Sequence, residues 1–83
     1  MPNESIIIDF YVKRFGINLK RIRESRNMTQ FDLATAMNDL GSESFIDKTT
    51  ISRIENGRTN ITLTNSIKLS LALKIDLKEL FDF

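Results

Sequence analysis

Lys48, Thr49, Ser52 and Arg53 lie within six residues of one another, and each offers a hydrogen-bonding or cationic side chain. At helical spacing they face away from Ile51 and Ile54, which are three apart and form a narrow apolar stripe. A helix anchored by the two isoleucines can therefore offer the other four to a ligand. An arginine so placed pairs bidentately with a guanine edge in the major groove of a DNA duplex. A second cluster lies upstream at Thr29-Gln30, with Asp32 three residues after Thr29. Thr29 reads as a helix N-cap and Asp32 as the reciprocal acid of a capping box. Gln30 then sits in a first helical turn, where free backbone N–H groups favour a phosphate and the amide adds a donor.

Those residues need elements to hold them. The chain has 83 residues, enough for one domain, with a single Pro at position 2 and glycines at 16, 41 and 57. So few breakers among many Leu, Ile, Lys and Arg residues predict a mostly helical fold. Phe15, Leu19 and Ile22 repeat as one helical face up to about Asn27, and the stripe continues back through Val12, Tyr11 and Ile8, so the first helix begins near Ser5 or Asp9. A second helix follows Thr29, draws apolar contacts from Phe31, Leu33, Ala34 and Met37, and ends between Asn38 and Gly41. The third starts after Asp47 and stops at Asn56-Gly57, with Gly57 suited to a left-handed position. Thr62 or Thr64 caps a fourth, and a short fifth spans Leu77-Lys78-Glu79-Leu80-Phe81.

Composition narrows the chemistry. There is no Cys and no His, which removes thiol and imidazole catalysis, disulfides and Cys/His zinc sites. There is no phosphate-cradling Gly-rich loop either, so an enzyme is not expected, nor a cofactor, metal or small-molecule ligand. Ile6-Ile7-Ile8 ends at Asp9, far short of a membrane span. The expected setting is the cytoplasm, in association with the nucleoid. Net charge is only +1, but residues 11–30 hold six bases against Glu24 and residues 31–47 hold four acids and no base. Residues 48–60 are basic again, so an asymmetric surface is compatible with near neutrality.

The pieces Phe15-Gly16, Leu19-Lys20-Arg21-Ile22-Arg23, Met28-Thr29-Gln30, Leu33-Ala34, Thr50-Ile51-Ser52-Arg53-Ile54-Glu55-Asn56-Gly57 and Leu77 with Glu79-Leu80-Phe81 occur in this order. With them the chain resembles the lambda-repressor-like, or phage repressor/Cro-type, helix-turn-helix family over about residues 14–83. The resemblance implies an all-α, compact five-helix DNA-binding domain at 15–83. Residues 1–14 form an N-terminal extension, either as a continuation of the first helix or as a dimer contact. It implies that Lys48, Thr49 and Arg53 read bases, with Ser52 beside them. Thr29, Gln30, Thr50, Asn56 and Arg58 fall where the family meets the DNA backbone. Arg23 and Glu55 match an ion pair between the first and third helices, which orients the recognition helix and reads no sequence.

The implied function is a sequence-specific transcriptional regulator, a repressor or controller protein, acting as a homodimer on a palindromic operator in double-stranded DNA. The alternative is an antitoxin-like or other protein-interaction module that keeps the fold. Ile6–Ile8, Phe10, Tyr11 and Leu71 exceed what one small core needs and suit either satellite packing or a dimer interface. Two departures from the family stand out. The stretch from Asp39 to Phe45 reads as an insertion of about seven residues before the recognition helix, longer than usual helix–helix connections. It brings Asp39 and Glu43 near the DNA face, and Leu40 or Phe45 is expected to tuck it against the domain. In the fourth helix, Ser66 replaces a customary buried leucine, while Leu71 is apolar where the family is often polar.

Overall fold

The structure is a computed structural model, and it describes residues 3–41 and 45–83. Glu43 therefore lies outside the described residues. Four α-helices follow in order: α1 (Glu4–Ser25), α2 (Gln30–Asn38), α3 (Lys48–Glu55) and α4 (Leu63–Leu73). The expected fifth α-helix at Leu77–Phe81 is instead a 3-10 helix. No strand occurs among the described residues, and no helix there is long and apolar enough to cross a membrane.

Each helix begins on a side-chain cap. Asn3 Oδ1 accepts from Ser5 N at 2.9 Å, so α1 starts at Glu4, close to the earlier of its two expected origins. At α2, Asp32 N donates to Thr29 Oγ1 at 3.0 Å and Thr29 N to Asp32 Oδ2 at 2.9 Å, completing the capping box. Asp47 Oδ1 accepts from Thr50 N at 2.9 Å and from Thr50 Oγ1 at 3.0 Å. Those bonds, the backbone one foremost, hold the Asp47 carboxyl below its ordinary pKa. Of the two threonines proposed for α4, Thr62 is the cap, accepting from Asn65 N at 3.1 Å.

Leu19, Leu33, Met37, Ile51, Leu69, Leu73 and Leu80 are fully buried, and Phe15, Ile22, Ala34, Ile46 and Ile54 complete the core. Gly16 lets α1 approach the end of α3: a Cβ there would collide with the backbone oxygens of Ile54 and Glu55. Asn18 ties α1 to the 3-10 helix, donating from Nδ2 to Glu79 O and Leu80 O, both at 2.9 Å.

Several apolar residues do not take the places expected of them. Phe31 is exposed and contributes nothing to the core, although Leu33, Ala34 and Met37 of the same helix do. Neither Leu40 nor Phe45 anchors the connection from α2 to α3. Ile46 does so, because Asn38 grips its backbone: Asn38 Nδ2 donates to Ile46 O at 2.7 Å and Ile46 N to Asn38 Oδ1 at 2.9 Å. Ile8 and Tyr11 stay exposed, and only Val12 of the backward stripe is half-buried; the Tyr11 ring lies 6.4 Å from that of Phe83, centroid to centroid. Ser66 is buried and returns its hydroxyl to Thr62 O at 3.1 Å, while Leu71 is exposed together with Leu63 and Ile67 on the same helix.

Candidate nucleic-acid interface

Helix α3 divides its residues between two faces. Ile51 and Ile54 are buried, Lys48, Thr49 and Arg53 are exposed, and Ser52 is half-buried. The helix is closed at both ends. Asp47 caps its start, and at its end Arg58 N donates to Arg53 O at 2.9 Å and Gly57 N to Ile54 O at 3.1 Å. This is a Schellman-type close, and Gly57 supplies the left-handed residue with φ of 67°.

A buried polar network joins α3 to α1 and α2. Arg23 Nε donates to Glu55 Oε2 at 2.6 Å and Arg23 Nη2 to Glu55 Oε1 at 3.0 Å, a bidentate pair. Arg23 Nη1 reaches Met28 O at 2.7 Å. Hydrogen bonding to Glu55 raises the Arg23 pKa above its ordinary value, against the opposing effect of burial, so the guanidinium stays charged. Gln30 joins the same carboxylate, donating from Nε2 to Glu55 Oε1 at 3.1 Å. One acid thus fixes the C-terminal turn of α1, the N-terminal turn of α2 and the last residue of α3.

The residues proposed to meet phosphate occupy several settings. Gln30 turns one N–H of its amide inward to Glu55, and its Nε2 carries a second. The backbone N–H groups of the first turn of α2 have no intrahelical acceptor, as at any helix start. Thr29 spends its hydroxyl oxygen on the cap of α2. Thr50 is half-buried with its hydroxyl bound to Asp47. Asn56 is exposed and folds its amide back to Ser52 O at 2.8 Å and Ser52 Oγ at 3.3 Å. Arg58 is exposed just past the end of α3.

Lys48 is brought beside the start of α2. It lines a hollow of about 670 Å³ together with Arg23, Asn27, Thr29, Gln30 and Phe31. On its other side lies a second hollow of about 600 Å³, shared with Phe31, Phe45, Asp47 and Thr49. Nothing in the local spacing marks the two phenylalanines as part of this surface. Local spacing puts Phe31 among the apolar contacts of α2 and offers Leu40 or Phe45 as the anchor, whereas the structure leaves all three exposed. The Gln30–Glu55 bond is likewise not legible locally, since its partners are 25 residues apart in sequence.

Comparison with known proteins gives four findings. A helix-turn-helix family model matches residues 19–80. The control protein C.MunI from Mycoplasma sp is 40% identical over 73 residues, covering 82% of this chain and 84% of the relative. The control protein C.BamHI from Bacillus amyloliquefaciens is 40% identical over 70 residues, covering 83% of this chain and 78% of the relative. Among solved structures, the restriction-modification controller protein C.AhdI from Aeromonas hydrophila superposes with a TM-score of 0.78 at 29% identity, covering 88% of this chain and 96% of that one.

Proposed function

Since the chain belongs to the lambda-repressor-like helix-turn-helix family, we propose that it is a controller-type transcriptional regulator that reads an operator in double-stranded DNA with α3. The observation that carries this reading is the exposed edge formed by Lys48, Thr49 and Arg53, held in register by buried Ile51, Ile54 and the Arg23–Glu55 pair. In the proposed complex Arg53 pairs with a guanine edge, Lys48 and Thr49 meet neighbouring bases, and Ser52 adds a hydroxyl. Gln30 and the first-turn N–H groups of α2 take a phosphate, with Thr29, Thr50, Asn56 and Arg58 along the same backbone track. No catalytic step is assigned, and the setting is the cytoplasm, on nucleoid DNA.

The active form is a homodimer. One recognition helix spans only a few base pairs, whereas a two-fold dimer reads two half-sites about 34 Å apart. Leu63, Ile67 and Leu71 of α4, and Ile6, Ile7, Ile8, Phe10 and Tyr11 of the arm at residues 1–14, expose apolar side chains suited to such an interface. The arm and the domain at 15–83 are then separate functional units on one continuous α1.

Selection from random duplexes followed by footprinting tests the proposal. The expected result is an enriched palindrome whose affinity falls steeply with salt, as bound phosphates release counterions. Absence of any enriched motif at moderate salt would overturn it.

A further inference from the structure

Two aromatic rings stand in solvent beside the start of α3. Phe31, the second residue of α2, is 65% exposed, and Phe45, two residues before the Asp47 cap, is 81% exposed. Aromatic side chains commonly bury about 150–250 Å² each, so leaving two uncovered around one hollow calls for an occupant. Both rings line the hollow that has buried Ala34 and Ile46 at its base and Lys48 and Thr49 on its wall. The backbone beneath them is already ordered. The Thr29–Asp32 box sets the first turn of α2, and the two Asn38 bonds hold Ile46, the neighbour of Phe45.

The charges around the hollow select what enters. Asp39 and Asp47 also line it, and they repel a phosphate. An uncharged base edge has no such penalty. In the major groove thymine presents an O4 acceptor beside a C5-methyl group, and phenylalanine is among the side chains that meet that methyl. A cationic and a hydroxyl donor next to apolar carbon match this edge. We propose that Phe31 and Phe45 clasp the C5-methyl of a thymine next to the bases met by Lys48 and Thr49, which makes Phe45 a specificity-determining residue supplied from outside the recognition helix. The proposal rests on the DNA-reading assignment of α3.

The test begins with the site enriched from random duplexes. Each thymine in it is replaced in turn by deoxyuridine, which removes the C5-methyl alone, and affinities are measured for the parent, Phe45→Ala and Phe31→Ala. At one thymine per half-site the parent is expected to lose about fourfold, the equivalent of roughly 0.8 kcal/mol for one buried carbon. Phe45→Ala should bind the thymine duplex correspondingly less tightly and no longer distinguish thymine from deoxyuridine at that position. Both rings are exposed, so unfolding midpoints should stay near the parent value, which separates loss of contact from loss of fold. Additive effects of the protein and DNA changes at every thymine would overturn the clasp while leaving α3 as the reading helix. A change of oligomeric state in Phe45→Ala without any thymine dependence would overturn it in favour of a protein contact. If the parent enriches no motif, the DNA-reading assignment itself fails and the clasp with it.

Discussion

The Glu55→Leu substitution takes from Arg23 the carboxylate that it reaches at 2.6 and 3.0 Å, leaving the guanidinium with Met28 O at 2.7 Å. Both side chains are buried, with residue exposures of 7% for Arg23 and 6% for Glu55. Removing one partner of a buried pair costs about 3–5 kcal/mol, because the remaining charge keeps its desolvation penalty without its compensation. At roughly 0.05–0.15 kcal/mol per residue, a chain of this length holds on the order of 4–12 kcal/mol in total. The substitution therefore removes a quarter or more of the stability. With Tm falling about 4–8 °C per kcal/mol in a domain of this size, the midpoint should drop by at least about 12 °C. Urea unfolding followed by circular dichroism, at one fixed protein concentration, measures the loss. The double variant Arg23→Met, Glu55→Leu leaves no unpaired charge and should return to within about 1–2 kcal/mol of the parent. It should not recover operator affinity, because Gln30 has lost the Glu55 oxygen that holds its amide at 3.1 Å. A single variant that loses less than about 1 kcal/mol, or a double variant no more stable than the single, would refute the argument that the buried charge requires its partner.

Arg53→Ala should cost about 1–3 kcal/mol on the selected operator and much less on random duplex; equal losses on both in a binding titration would remove its base-reading role. Gly16→Ala should destabilise the fold by on the order of 1–3 kcal/mol, since the new Cβ meets rigid backbone oxygens of Ile54 and Glu55, and a thermal melt with no shift would refute that close approach. The Asp47 carboxyl sits below its ordinary value of 3.8 through its bonds to Thr50. Its contribution to α3 is therefore fully present above that value and disappears as pH falls through the lower folded value; an NMR titration of Asp47 with a midpoint at or above 3.8 would contradict this.

What the sequence disclosed followed the range over which each signal acts. The caps at Thr29 and Asp47 act within three residues, so their helices are placed by local spacing alone, while for α4 the same spacing leaves Thr62 and Thr64 both open. The Ile51–Ile54 stripe likewise fixes which side of α3 is outward without reference to anything distant. The approach to α3 is different. Leu40, Phe45 and Ile46 are all apolar, and only Ile46 is buried, because the Asn38 side chain captures its backbone from across the connection. Hydrophobicity nominates candidates for such a place; a hydrogen bond eight residues away chooses among them. At Leu77–Phe81 five residues suffice for apolar periodicity but give few i→i+4 bonds, so the tighter 3-10 form is the shape taken.

Gln30 shows what this range dependence means for the site. Its position at a capped helix start marks it for phosphate, a local inference. Its Nε2 donates to Glu55, 25 residues away, a fact that only the fold contains. The two are compatible, because an amide nitrogen carries two hydrogens. One bonds inward and sets the side chain's direction, leaving the other for an outside acceptor. The Arg23–Glu55 pair ties α3 to α1, and through Gln30 the same carboxylate also holds the amide that we propose meets the DNA backbone. The proposed base reading by α3 and the proposed phosphate contact by α2 would therefore share one buried anchor, and a change at Glu55 should disturb both together.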